Sequence, residues 1–244
     1  MSLPVPARVV VLVAVALLLL LLVQLVRRAL RTRGPSVSWA GRRLGMPQTP
    51  ARVWGLATSA LIVEVNGGRH DVLSAGFPAG DASATLASAW NCTDRSSVRA
   101  RLEWLRSSGD RARWESLRRA FDEGDPELED RAFADPALRA QLEVINRYGQ
   151  RHPSLPAWDL CRAVTLVRLA YAAGFIAEKE SWKWVERLAV AIRSSFSSWR
   201  EMTENYMVGR EFVQGTADPD LHAAQLSLLD PANQSSPWNR LPWR

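Results

Sequence analysis

Lysine is nearly missing from this 244-residue chain: only Lys179 and Lys183 occur among 31 basic side chains, and the rest are arginine. Cysteine is as scarce. Cys92 and Cys161 lie far apart and fit no metal-binding or redox spacing, so a disulfide scaffold is excluded and two buried thiols are expected. The three histidines, His70, His152 and His222, are scattered without an H-x-x-x-H pattern, and no metal site is expected. There is no G-x-x-x-x-G-K-[ST], no strand-borne G-x-G-x-x-G and no G-x-S-x-G, which removes the standard nucleotide cradles and the hydrolase elbow. No cofactor is expected, and no internal repeat or low-complexity tract is visible.

Acidic residues are missing from the first 63 positions. The whole-chain charge of +6 suggests a nucleic-acid binder until the charges are located. Seven arginines (Arg8, Arg27, Arg28, Arg31, Arg33, Arg42 and Arg43) lie in or near the flanks of the N-terminal apolar run, and the first acid is Glu64. Taking those seven from the 31 basic residues leaves 24 against 25 acidic ones, a net of −1 for the remainder. A near-neutral body lacks the electrostatic footprint for nucleic acid. The basic excess is assigned instead to membrane topology and to anionic headgroups, at about 1 kcal/mol per residue near the surface.

What the N-terminus has is a long apolar run. From Val9 to Val26 the one polar side chain is Gln24. Eighteen helical residues span roughly 27 Å, close to the hydrocarbon thickness of a bilayer. The run has no polar face for an interfacial helix, and it is too long, with arginines directly after it, for a cleaved signal peptide. The expectation is a single transmembrane anchor over residues 1–33. Arg27, Arg28, Arg31 and Arg33 outweigh Arg8, which predicts a body on the cytoplasmic side of the cell membrane.

Residues 34–50 read as a Gly- and Pro-punctuated linker, and residues 51–244 as one all-α domain. The segment Trp54 to Val65 fits a helix, although Leu61 to Val65 fits a strand equally well. Gly76 to Asp81 reads as a loop. Thr93-Asp94 starts a helix, and Ser107 to Asp110 ends it and opens another, Arg111 to Phe121. Asp122 to Asp130 reads as a solvated acidic loop. Asp135-Pro136, Ser154 to Pro156, Ala177, Ser198 and Asp218-Pro219 each mark the start of a further helix. Ser198 and Glu201 have capping-box spacing. The tail from Ser236 to Trp243 is rich in tryptophan and is expected to fold back onto the domain, whose eleven tryptophans read as core pieces.

The helix from Pro156 is apolar nearly all round and so should be central. Yet it carries Asp159, Arg162 and Arg168, and buried charge is costly unless paired. An Asp159–Arg162 pair resolves this. A second helix offers Asn205, Tyr206 and Arg210; if the two helices pack, Asp159, Arg162, Asn205, Tyr206 and Arg210 form one polar patch. That patch reads either as a structural network or as a ligand site. His70-Asp71 reads as a loop dipeptide before a catalytic pair.

Four segments resemble a bacterial family catalogued as domain of unknown function 1266. They are Ala157 to Arg162, Tyr171 to Ile176, Ser198-Trp199 through Tyr206 to Arg210, and Ser236 to Trp243. Where that family often carries Gly-His-Arg this chain has Gly109-Asp110-Arg111, and Phe212-Val213 replaces its common Phe-Trp. The resemblance implies a domain and no activity. Two functions are therefore expected. One is a membrane-tethered, protein-binding or regulatory module. The alternative is an enzyme in which Arg162 and Arg210 grip a small anionic substrate while Asp159 acts as base.

Overall fold

A computed structural model of the protein describes residues 49–243. The expected anchor Val9–Val26, its arginine flank and the linker up to Gln48 lie outside the described residues. Among the described residues no helix is long and apolar enough to cross a membrane. The described residues form a multi-helix, all-α globular domain with no strand among them.

The chain runs through α1 (Pro50–Ala57), α2 (Ala60–Val65), α3 (Ala79–Trp90), α4 (Arg95–Ser107), α5 (Arg111–Asp122) and α6 (Pro126–Ala134). It continues through α7 (Pro136–Tyr148), α8 (Pro156–Ala172), α9 (Glu178–Ser195), α10 (Trp199–Gln214), α11 (Pro219–Leu229) and α12 (Pro237–Arg240). The starts follow cap chemistry. Asp94 accepts the amide of Ser97 at 2.7 Å, and the Ser97 hydroxyl accepts the amide of Asp94, a reciprocal capping box. Asp135 and Asp218 each cap a helix whose first residue is proline, which has no N–H to leave unpaired. At α10 the Ser198 hydroxyl accepts the amide of Glu201. The Glu201 carboxylate, however, reaches back to the amide of Ser197, one residue beyond a standard box.

One open reading is decided and two expectations are corrected. Leu61–Val65 is helical, because the Ser59 hydroxyl and the amides after it keep the chain turning beyond α1. The loop at Gly76–Asp81 ends at Pro78, and α3 starts at Ala79, burying Ala82 and Leu86. The acidic stretch from Pro126 is a helix. Asp125 caps it, and its Leu128 and Ala132, four apart, pack on Leu138. Charge density hid that short apolar stripe.

The expectation for α8 holds: thirteen of its seventeen residues are buried, and α3, α4, α9 and α10 pack around it. Gly209 permits the closest of these approaches. A Cβ on Gly209 would come within 2.4 Å of the Trp158 Cβ, so α10 meets α8 almost backbone to side chain. A second, smaller core of Trp114, Val144, Ile145, Leu155, Val208 and Phe212 joins α5 and α7 to the other side of α10. The C-terminal tail folds back as expected. The indole N–H groups of Trp199, Trp238 and Trp243 donate to the carbonyls of Leu241, Ala57 and Phe196, and their rings cluster with Trp54. Cys92 and Cys161 are both buried and free.

Arg168 is a fully buried charge in this core. Among the described residues no carboxylate forms a salt bridge with it. Its guanidinium donates to the carbonyls of Leu56, Arg69 and Val72 and to the Ser59 hydroxyl, tying the α1–α2 junction and the 69–72 loop to α8. Burial lowers its pKa to about 9, so it stays protonated at neutral pH.

Candidate functional site

The five residues of the expected polar patch divide between two structural nests and one cleft. Asp159 does not pair with Arg162. Its carboxylate accepts the backbone amides of Asp110 (2.9 Å) and Arg111 (3.1 Å) and the Arg111 side chain (2.9 Å), and it is wholly shielded from solvent. Gly109 makes this possible: its φ of +61° turns the chain, and a Cβ there would lie 2.1 Å from the Asp159 Oδ2. Burial pushes the Asp159 pKa upward, opposed by the two amides and Arg111. Held on three sides by donors, this carboxylate has no face left for a substrate, so the expected role of general base is corrected.

Asn205 is also spoken for. Its side-chain oxygen accepts the amide of Ala157 at 3.0 Å, and its NH₂ donates to the Ser154 carbonyl at 2.9 Å and approaches His152 Nδ1 at 3.3 Å. It caps the first turn of α8, which otherwise begins without a side-chain cap. Burial and the neighbouring Arg151 lower the His152 pKa, with Glu204 and Glu201 opposing.

Arg162, Tyr206 and Arg210 come together in the cleft, which has a volume of about 460 Å³ and is walled by α2, α3, α8, α10 and the start of α11. Arg162 donates through Nη1 to Asp110 at 2.7 Å, and the Trp158 indole N–H shares that carboxylate at 2.9 Å. Its guanidinium lies 4.2 Å from the Trp158 ring centroid and 5.0 Å from that of Trp90. Among the described residues no acceptor meets its Nε or Nη2, and neither atom is sealed from solvent. Tyr206 stacks obliquely on Trp158 at 5.2 Å, and its hydroxyl likewise has no partner among the described residues. Burial raises the Tyr206 pKa against the pull of Arg162 and Arg210, so the phenol is an O–H donor at neutral pH.

Arg210 pairs with Asp218, whose other oxygen caps α11 through the amides of Asp220 and Leu221. Burial alone would raise the Asp218 pKa, but these amides and Arg210 outweigh it and hold the carboxyl below its ordinary value. The Arg210–Asp218 pair also separates this cleft from a neighbouring one of about 310 Å³ lined by His152, Glu204 and His222. His70 and Asp71 do not act together: His70 pairs with Glu64 and Asp71 with Arg69.

Sequence reasoning missed Asp110, Arg111 and Trp90. The available signal was Asp110 itself, singled out where the resemblance led one to expect a histidine: its carboxylate completes the pair with Arg162. Trp90 sits on α3, a helix obscured by its run of small residues.

A family model described as "Protein of unknown function (DUF1266)" matches residues 85–243. No curated protein and no solved structure matches the chain. The matched stretch contributes Trp90, Arg162, Tyr206, Arg210 and Asp218 to the cleft, while Ile62, Val65 and Phe77 precede it.

Proposed function

Because the chain belongs to the DUF1266 family, which brings no activity with it, we propose its function from the cleft: a binding module tethered to the membrane. In this reading Val9–Val26 spans the bilayer, the arginines after it face anionic headgroups, and the helical domain works at the cytoplasmic face of the cell membrane, regulating or recruiting a protein partner. Neither nucleic acid nor a cofactor enters it.

One observation carries the reading. Two donor groups on residues that line a half-apolar cleft, the open edge of Arg162 and the Tyr206 hydroxyl, have no acceptor among the described residues. Convergent polar groups in an otherwise apolar recess are the ordinary signature of a binding site. The catalytic alternative loses its base, since Asp159 is enclosed by Asp110 and Arg111.

The test uses the full chain in its membrane. Thr85 is exposed at the cleft rim, so Thr85→Trp should fill the mouth and leave the fold intact. The partner recovered with the native chain should be lost from this variant, and an identical set of co-purifying proteins would refute the cleft as the working surface. For the tether, protease added to sealed, right-side-out vesicles should spare the body; digestion from the outer face would refute the orientation.

A further inference from the structure

Resting on the cleft being a binding site, we propose that it takes a carboxylate carried on an apolar body. The Arg162 guanidinium lies over the Trp158 and Trp90 rings and gives Nη1 to Asp110, so what remains for a ligand is the edge that carries Nε and Nη2. Nε and Nη2 form a fork that matches the two oxygens of a carboxylate. The Tyr206 hydroxyl adds a third donor. Arg162 and Tyr206 line the same cleft, from α8 and α10.

The anchoring of Arg162 supports a singly charged head. Asp110 already takes one of its nitrogens, and Arg210 is engaged by Asp218. The other carboxylate of the cleft, Asp81, stands exposed in the first turn of α3 and disfavours a second negative charge on the ligand. Counting Asp110 with Asp81 and Asp218, the surroundings hold no spare positive charge beside Arg162 and Arg210, so the head must be held by directed hydrogen bonds, which suits a singly charged carboxylate better than a doubly charged phosphate. Ile62, Val65, Phe77, Leu169 and Leu221 supply the apolar surface beside the head-group site.

Such a ligand has two sources, a small apolar acid or the C-terminus of a protein ending in a large apolar residue. The binding chemistry is the same. The full chain in lipid nanodiscs would be titrated by calorimetry with 3-phenylpropanoate and with acetyl-Ala-Ala-Phe, each beside its C-terminal amide, and with 2-phenylethyl phosphate. The proposal expects each acid to bind roughly tenfold or more tightly than its amide, the scale of a hydrogen bond to a charged group. It also expects the phosphate to bind more weakly than 3-phenylpropanoate.

Tyr206→Phe should weaken both acids several-fold and leave the amides unchanged. Since the hydroxyl has no partner among the described residues, the variant should fold normally. Arg162→Gln should abolish the difference between acid and amide. The tighter of the two acids identifies the source. Amides that bind as well as acids would overturn the carboxylate while leaving the binding site standing. No binding by any probe would overturn both.

Discussion

Gly109 and Gly124 share nearly the same backbone, φ +61° and +67°, in different surroundings. That makes them a matched pair for measuring what the Asp159 nest contributes. At Gly124 an added Cβ meets nothing within 4 Å. Gly124→Ala should therefore cost only the left-handed strain of a non-glycine residue, about 1–2 kcal/mol. At Gly109 the same methyl would sit 2.1 Å from Asp159 Oδ2 and 2.2 Å from Cγ, so the carboxylate must leave its three donors. Parting a buried charge from its partners costs about 3–5 kcal/mol. Gly109→Ala should thus lose several kcal/mol beyond Gly124→Ala. For a domain of this size, where 1 kcal/mol shifts Tm by about 2–4 °C, the extra fall should be roughly 10 °C. Thermal unfolding of the two variants, followed by near-ultraviolet circular dichroism of the tryptophans, measures the difference directly. Equal losses in both variants would refute the role given to Asp159.

Two further outcomes follow from buried groups. Arg168→Met should destabilise the domain by about 3–5 kcal/mol, because the carbonyls of Leu56, Arg69 and Val72 lose their donor in a sealed site; denaturant unfolding checks this, and a loss under 1 kcal/mol would contradict it. His152 has a pKa held below the free value of about 6.5, so its contribution to stability is fully present above that pH and is lost as pH falls through the folded-state value. Melting curves between about pH 8 and pH 5 should therefore fall on the acid side in the native chain and fall less in His152→Gln.

Most of the helical architecture was legible because caps and apolar spacing agreed. Asp94, Asp135, Ser198 and Asp218 announce their helices locally, and the continuous apolar surface of α8 announces its central place. What failed were segments whose composition argues against their structure. The small residues of α3 and the acids of α6 give little periodic signal, so packing on Leu86 and Leu138 decides their state. The candidate site was legible in membership more than in pairing. Arg162, Tyr206 and Arg210 do share a cleft, as helix packing suggested. Asp159 and Arg162, three residues apart, point to different partners because the Gly109 turn brings Asp110 and Arg111 between them, a long-range fact that helical spacing does not contain.

The most direct measurement is the indole N–H spectrum of the full chain, labelled with ¹⁵N-tryptophan in nanodiscs, during addition of 3-phenylpropanoate. Trp90 lines the cleft and Trp158 shares Asp110 with Arg162, whereas Trp114 and Trp243 are sealed in other parts of the core. Binding at the Arg162–Tyr206 edge predicts saturable shifts at Trp90 and Trp158, still Trp114 and Trp243 resonances, and saturation by the amide only at roughly tenfold or higher concentration. Shifts confined to Trp114 or Trp243, or none at all, would contradict it.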